Sequence, residues 1–170
     1  MGDGTALEER IAERRAGVGD PRALVGELRR ALVLVPYDRG GLWTARFGGV
    51  RWVCGFTDEA ALARFARARD AEDGREAARG PDPANRREGD GEAARGPDPA
   101  NSQEAGPVWE FAALRGARLL DEIVPAMGEP AGVAVNIGDV DGAMLFPPVV
   151  GIVPEAVAVD AGEARDGERG

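Results

Sequence analysis

The sequence predicts a single α+β domain: a mixed sheet with an antiparallel hairpin, helices packed on it, and a disordered insert that interrupts the chain. Three observations predict it. Residues 71–106 contain no Val, Ile, Leu, Met, Phe, Trp, Tyr or Cys, so nothing there can offset the entropy of ordering the backbone. The apolar blocks on either side, 6–70 and 107–159, are each short for a core of their own and are expected to share one. Within them, alternating runs around Gly48 and Gly49 read as a hairpin, and an amphipathic helical stripe follows at once. The expected division is a surface helix and loop over 1–19, the domain over 20–159 with its insert at 71–106, and a disordered tail over 160–170.

The elements follow in order. ALEERIAERRA at 6–16 has only Leu7 and Ile11 as large apolar anchors, which suits a helix lying on the surface. Asp20 followed by Pro21 is a helix start, an N-cap residue before a proline in the first turn. Leu24, Val25 and Leu28 form the stripe of the helix it opens, which runs to about Arg30. LVLVP from Leu32 is continuous and β-branched, expected as a strand covered on both faces and ended by Pro36.

LWTARF and VRWVC flank Gly48 and Gly49, residues that accept the positive φ angles of a two-residue hairpin turn. In that register Phe47 faces Val50, Ala45 faces Trp52 and Trp43 faces Cys54, and this side is expected to be the core face. Arg46 faces Arg51 on the other side, beside Thr44 and Val53. Two guanidinium groups so placed repel unless an anion sits between them.

FTDEAALARFARAR predicts a helix capped by Thr57, with Asp58 and Glu59 at its positive end and Leu62, Phe65 and Ala66 buried. PVWEF at 107–111 is expected to lead into a second long helix over 112–124, with Leu114, Ala117, Leu120 and Val124 on one side and Pro125 as its stop. VAVNI and AMLF flank GDVDG as a second hairpin. PPVVGIVPEAVAV at 147–159 fits a short helix or a strand. Within the insert, EAARGPDPAN occurs at 76–85 and again at 92–101, a direct repeat with no apolar face to stack.

The order of elements resembles the SseB N-terminal-domain family of bacteria, most of all in FTDEAALARF at 56–65 after the hairpin and in VAVNIGDVDGAMLFPP at 133–148. The resemblance covers roughly 22–70 and 107–155. It implies an α+β fold and a protein largely without assigned chemistry, so it carries over no catalytic residue.

Charge narrows the partners. The formal net charge is −9, from 30 acidic and 21 basic residues, with no His and with every basic residue an Arg. Such a chain has no basic stripe for a phosphate backbone, so nucleic acid is not an expected partner. No run reaches the length of a membrane span and no signal peptide opens the sequence, so the expected compartment is the cytoplasm. A single cysteine allows no internal disulfide and no four-cysteine zinc site.

Candidate chemistry is sparse. Without His or Lys the commonest general base and the Schiff-base nucleophile are missing. Cys54 lies on the expected core face, where a small thiol is inert. Asp139 and Asp141 in GDVDG lack the later ligands of a calcium loop and suit a turn, and adjacent Asp121 and Glu122 read as solvated surface. No cofactor and no metal is expected. What remains is Arg39, Arg46 and Arg51, a guanidinium set able to hold an acidic segment, and Trp109, an aromatic expected in the core or as a contact anchor. The expectation is a non-catalytic cytoplasmic binding or accessory protein acting by protein–protein contact on the outer sheet face. Alternatives are an enzyme or small-molecule binder with a pocket between helix 112–124 and the sheet, and an immunity-like protein neutralising a basic toxin.

Overall fold

The structure is a computed structural model, and it describes residues 3–78 and 109–161. Two helices open the chain, α1 (Asp3–Arg15) and α2 (Pro21–Arg30). Asp20 caps α2, its side chain accepting the Arg22 N–H at 3.0 Å. α1 docks more deeply than the surface helix expected from two apolar anchors. Leu7 and Ile11 are fully buried and join Leu24 and Leu28 in the main core; two well-placed anchors one turn apart are enough to dock a helix.

β1 (Leu32–Asp38) pairs antiparallel with β2 (Gly41–Leu42) at its end and with β5 (Phe111–Arg115) along its length. Pro36 does not end the strand. Leu34 exchanges hydrogen bonds with Phe56 on the edge opposite β5, and Tyr37 N–H returns to Glu110 on the β5 edge. By alternation Pro36 points its nitrogen away from β5, so its missing donor removes no bond of that ladder.

β3 (Thr44–Phe47) and β4 (Val50–Gly55) form the hairpin in the expected register, Arg46 opposite Arg51 and Ala45 opposite Trp52. β4 then pairs in parallel with β6 (Ala131–Val135), and β6 antiparallel with β7 (Met144–Phe146), giving the order β3-β4-β6-β7. The bend at Trp43 joins the two sheets, since its N–H donates to Pro36 and its carbonyl accepts from Cys54.

The expected core face of the hairpin is corrected. Val53 lies in the main core with Val33, Val35, Val133 and Val135, whereas Trp52 and Cys54 form a smaller cluster on the other side and Phe47 is exposed. β4 is covered on both faces because Val33 and Val35 of β1, with Leu7, Ile11 and Leu28 of the two helices, close over the Val53 side, which the hairpin alone could not reveal.

α3 (Glu59–Ala78) is capped by Asp58, not Thr57: the Ala61 N–H donates to Asp58 Oδ1 at 2.7 Å. It buries Ala61, Leu62 and Phe65 against Phe56. It also runs to Ala78, so the insert begins later than residue 71; alanine, arginine and glutamate carry the helix beyond its last apolar anchor through propensity alone. The rest of 71–106, including most of the repeat, lies outside the described residues.

The expected helix over 112–124 is likewise corrected. Phe111–Arg115 is strand, and the helix spans 116–126 with a π-helical stretch at Leu119–Ile123. Gly116 opens it against α2, where a Cβ would stand 1.9 Å from the Leu28 carbonyl oxygen. Pro125 sits inside its last turn. The wider π turn just before it, closed by Val124 N–H to Leu119, makes room for a residue that would otherwise break the helix. After β7, a short 3-10 turn at Glu155–Val157 follows, and Val153 is buried in the main core. Asp160, expected to begin a loose tail, accepts the Val150 N–H at 2.7 Å; the tail from 162 lies outside the described residues.

Candidate binding site

The β1–β2 connection is a two-residue turn in which Arg39 (φ 47°) and Gly40 (φ 83°) are both left-handed. Asp38 pairs with Gly41 across it, the geometry that matches the twist of a hairpin. Glycine takes that conformation freely, but an arginine there costs about 1 kcal/mol. The turn holds the Arg39 side chain 94 % exposed, with only a long 3.8 Å approach to Asp38.

Beneath the turn, Tyr37 N–H donates to the Glu110 carbonyl at 2.8 Å and lays Trp109 and Glu110 beside β1. Trp109 meets Phe65 of α3 edge-on at 5.8 Å, and Trp43 meets the same ring edge-on at 4.9 Å. Arg69, one turn after Phe65, places its guanidinium 5.9 Å from the Trp43 ring and pairs with Glu72 at 3.2 Å. The result is an open cleft of about 980 Å³, walled by Tyr37, Trp43 and Trp109 with Arg39 and Arg69 at its rim and Asp38, Asp73 and Glu110 between them. The cleft joins aromatic faces to charged edges of both signs, the chemistry of a surface that grips an apolar or cationic side chain flanked by charge.

Of the four residues singled out from the sequence, Arg39 and Trp109 meet in this cleft. Arg46 and Arg51 do not line it. They share one carboxylate, Glu129, at 2.5 Å from Arg46 and 2.9 Å from Arg51, and the Nε of Arg51 is buried without a hydrogen-bond partner. The expected intervening anion is thus the chain's own. Its source could not be read locally, because the parallel β4–β6 pairing alone brings residue 129 under the hairpin, with Arg51 N–H donating to Pro130. Tyr37, Trp43 and Arg69 were missed as site residues; Arg69 had a signal, its i+4 spacing from Phe65.

The other candidates take structural places. Cys54 is fully buried, its Sγ 3.6 Å from the Trp52 carbonyl, and burial pushes its thiol up to about 12. Asp139 closes the 136–143 loop by accepting the N–H groups of Asp141 and Gly142; these bonds hold its carboxyl below the usual range, with Arg64 3.4 Å away adding to the effect. Asp121 is not simply solvated, since Arg29 of α2 reaches it at 2.6 Å. On the helix where a pocket against the sheet was expected, Leu119, Leu120 and Val124 are packed into the core. A second, smaller hollow of about 340 Å³ lies between α3 and the 136–141 loop, around Phe65 and Ile137. No family model matches the chain, and no curated protein or solved structure does either.

Proposed function

We propose that the chain is a non-catalytic, SseB-like binding or accessory protein of the cytoplasm, acting by protein–protein contact through the cleft between the β1–β2 turn and α3. The carrying observation is that Arg39 and Trp109, far apart in sequence, meet there with Tyr37 and Trp43. An exposed arginine held in a left-handed turn supports the reading, because non-glycine residues in such conformations cluster at active sites and ligand clamps. The absence of His and Lys from the sequence favours binding over acid–base catalysis. No helix among the described residues is long and apolar enough to cross a membrane. With Arg46 and Arg51 already holding Glu129, the contact moves from the hairpin face to the cleft.

The test is affinity capture from the native cell with three baits: the wild-type chain, Trp109→Ala with Arg39→Glu, and Arg46→Gln with Arg51→Gln. Circular dichroism checks that each is folded. The cleft variant is expected to lose a protein that the wild type and the hairpin variant both retain. Loss only with the hairpin variant returns the contact to Arg46 and Arg51; an identical set from all three baits removes the cleft as a protein contact.

A further inference from the structure

Among the described residues β5 ends its sheet, and the direction of its backbone groups can be read from both ends. Tyr37 N–H donates to Glu110 at 2.8 Å, and Gly116 N–H donates to Ala31 at 3.0 Å. An antiparallel ladder repeats every second residue, so Ala112 and Leu114 turn their N–H and C=O groups to β1. Phe111, Ala113 and Arg115 turn theirs outward. The side chains of these three residues share one exposed face, beside exposed Leu32. Natural proteins blunt such an edge with proline, inward charge or a bulge. Along β5 the charge is Arg115 alone, and its guanidinium is turned aside to the Arg30 carbonyl at 2.7 Å.

We propose that this edge is where two copies of the chain meet, with β5 of each pairing antiparallel about a two-fold axis at Ala113 so that the sheet runs through both. The strand is self-complementary in that register, as a closed two-fold contact requires. Phe111 of each copy faces Arg115 of the other, a ring against the aliphatic stem of an arginine whose guanidinium stays on the Arg30 carbonyl. The small Ala113 lies on the axis, where its outward N–H and C=O groups pair with those of the same residue in the other copy. No like charges oppose one another, and all three outward-turned residues pair among themselves. A second copy fits better than a foreign strand because each end of the strand supplies the group its other end requires.

The edge is short, so a weak dimer is expected, and sedimentation of the full chain should span from about 10 to 300 µM. The weight-average mass is expected to rise towards twice that of the chain. Ala113→Pro removes only an outward N–H, leaving the bonds to β1; it is expected to remain monomeric over the range with an unchanged melting temperature. Ala113→Cys places two thiols across the axis with Cα atoms about 5.5 Å apart, within disulfide reach, and is expected to cross-link under mild oxidation well above a Thr5→Cys collision control. A chain that stays monomeric to the top of the range, a dimer that survives Ala113→Pro, or cross-linking at 113 no greater than at 5 would each overturn the proposal.

Discussion

Arg46 and Arg51 stand directly opposite each other on the hairpin, and Glu129 accepts both. Arg46 is well exposed, so its own ion pair is worth little; the larger effect of the carboxylate is to screen the two guanidinium groups from each other. Glu129→Ala is therefore expected to lower unfolding stability by about 1 kcal/mol, and Arg46→Ala in that background to recover part of it. Urea denaturation of the four members of the cycle measures this, and additive effects would contradict the screening role. Cys54 gives a prediction in pH. Burial raises its thiol from 9.0 to about 12, and because the folded value is the raised one, the thiol favours the folded state fully below 9.0. That contribution is lost as pH rises from 9.0 towards about 12. At pH 8.5 the native chain should resist alkylation by iodoacetamide while the urea-unfolded chain is modified within minutes. Labelling of the native chain at the unfolded rate would show the site to be open.

Elements were legible wherever their signals are local. Asp20 with Pro21, the Gly48–Gly49 turn and the stripe of Leu62, Phe65 and Ala66 each declared an element through residues close in sequence, and the structure has all three. β5 was misread because Leu114, Ala117, Leu120 and Val124 keep helical spacing across a strand and the helix after it. What makes Phe111–Arg115 a strand is its pairing with Leu32–Pro36, which leaves no trace in a short apolar run. The α3 cap was displaced by one residue, since Thr57 and Asp58 have the same capping chemistry and only the fold distinguishes them. Thr57 is drawn instead into a buried joint. Its N–H donates to Asn136 Oδ1 at 3.0 Å, its hydroxyl donates to Glu8, and Asn136 Nδ2 donates back to it at 3.0 Å. One asparagine at φ 50° thus ties the end of β6 to the β4–α3 junction and, through Thr57, to α1. Asn136→Ala leaves the buried Thr57 N–H unpaired and puts a less tolerant residue in the left-handed region; a loss of about 2 to 4 kcal/mol is expected. A change below about 0.5 kcal/mol in chemical denaturation, the range of ordinary surface substitutions, would mean the joint is dispensable.

At the scale of the molecule, the expectation that two apolar blocks share one core can be checked by asking what crosses between them. Leu7, Leu28, Val33, Val35 and Val53 come from before the undescribed segment and Leu119, Val124, Val133, Val135 and Phe146 from after it, all in one cluster. Two strand pairings also cross, β1 with β5 and β4 with β6. Neither block therefore has a complete sheet or a complete core without the other. The candidate site has the same dependence, because Arg39 and Trp109 come from different blocks and only the β1–β5 pairing brings them together; this is why the sequence pointed to both residues but not to their meeting. A chain carrying a specific protease site between residues 88 and 92 should, once cut, elute as one folded body and melt in a single transition, since the cut spares every crossing contact among the described residues and removes only the entropic advantage of the covalent connection. A covalent connection acts as an effective concentration, so the cut protein should become less stable as it is diluted, while the intact chain should not. Either block expressed alone should show no cooperative melt. Two transitions in the cut protein, or one block melting cooperatively by itself, would mean that the halves are separate domains and that the cleft is an interface between them.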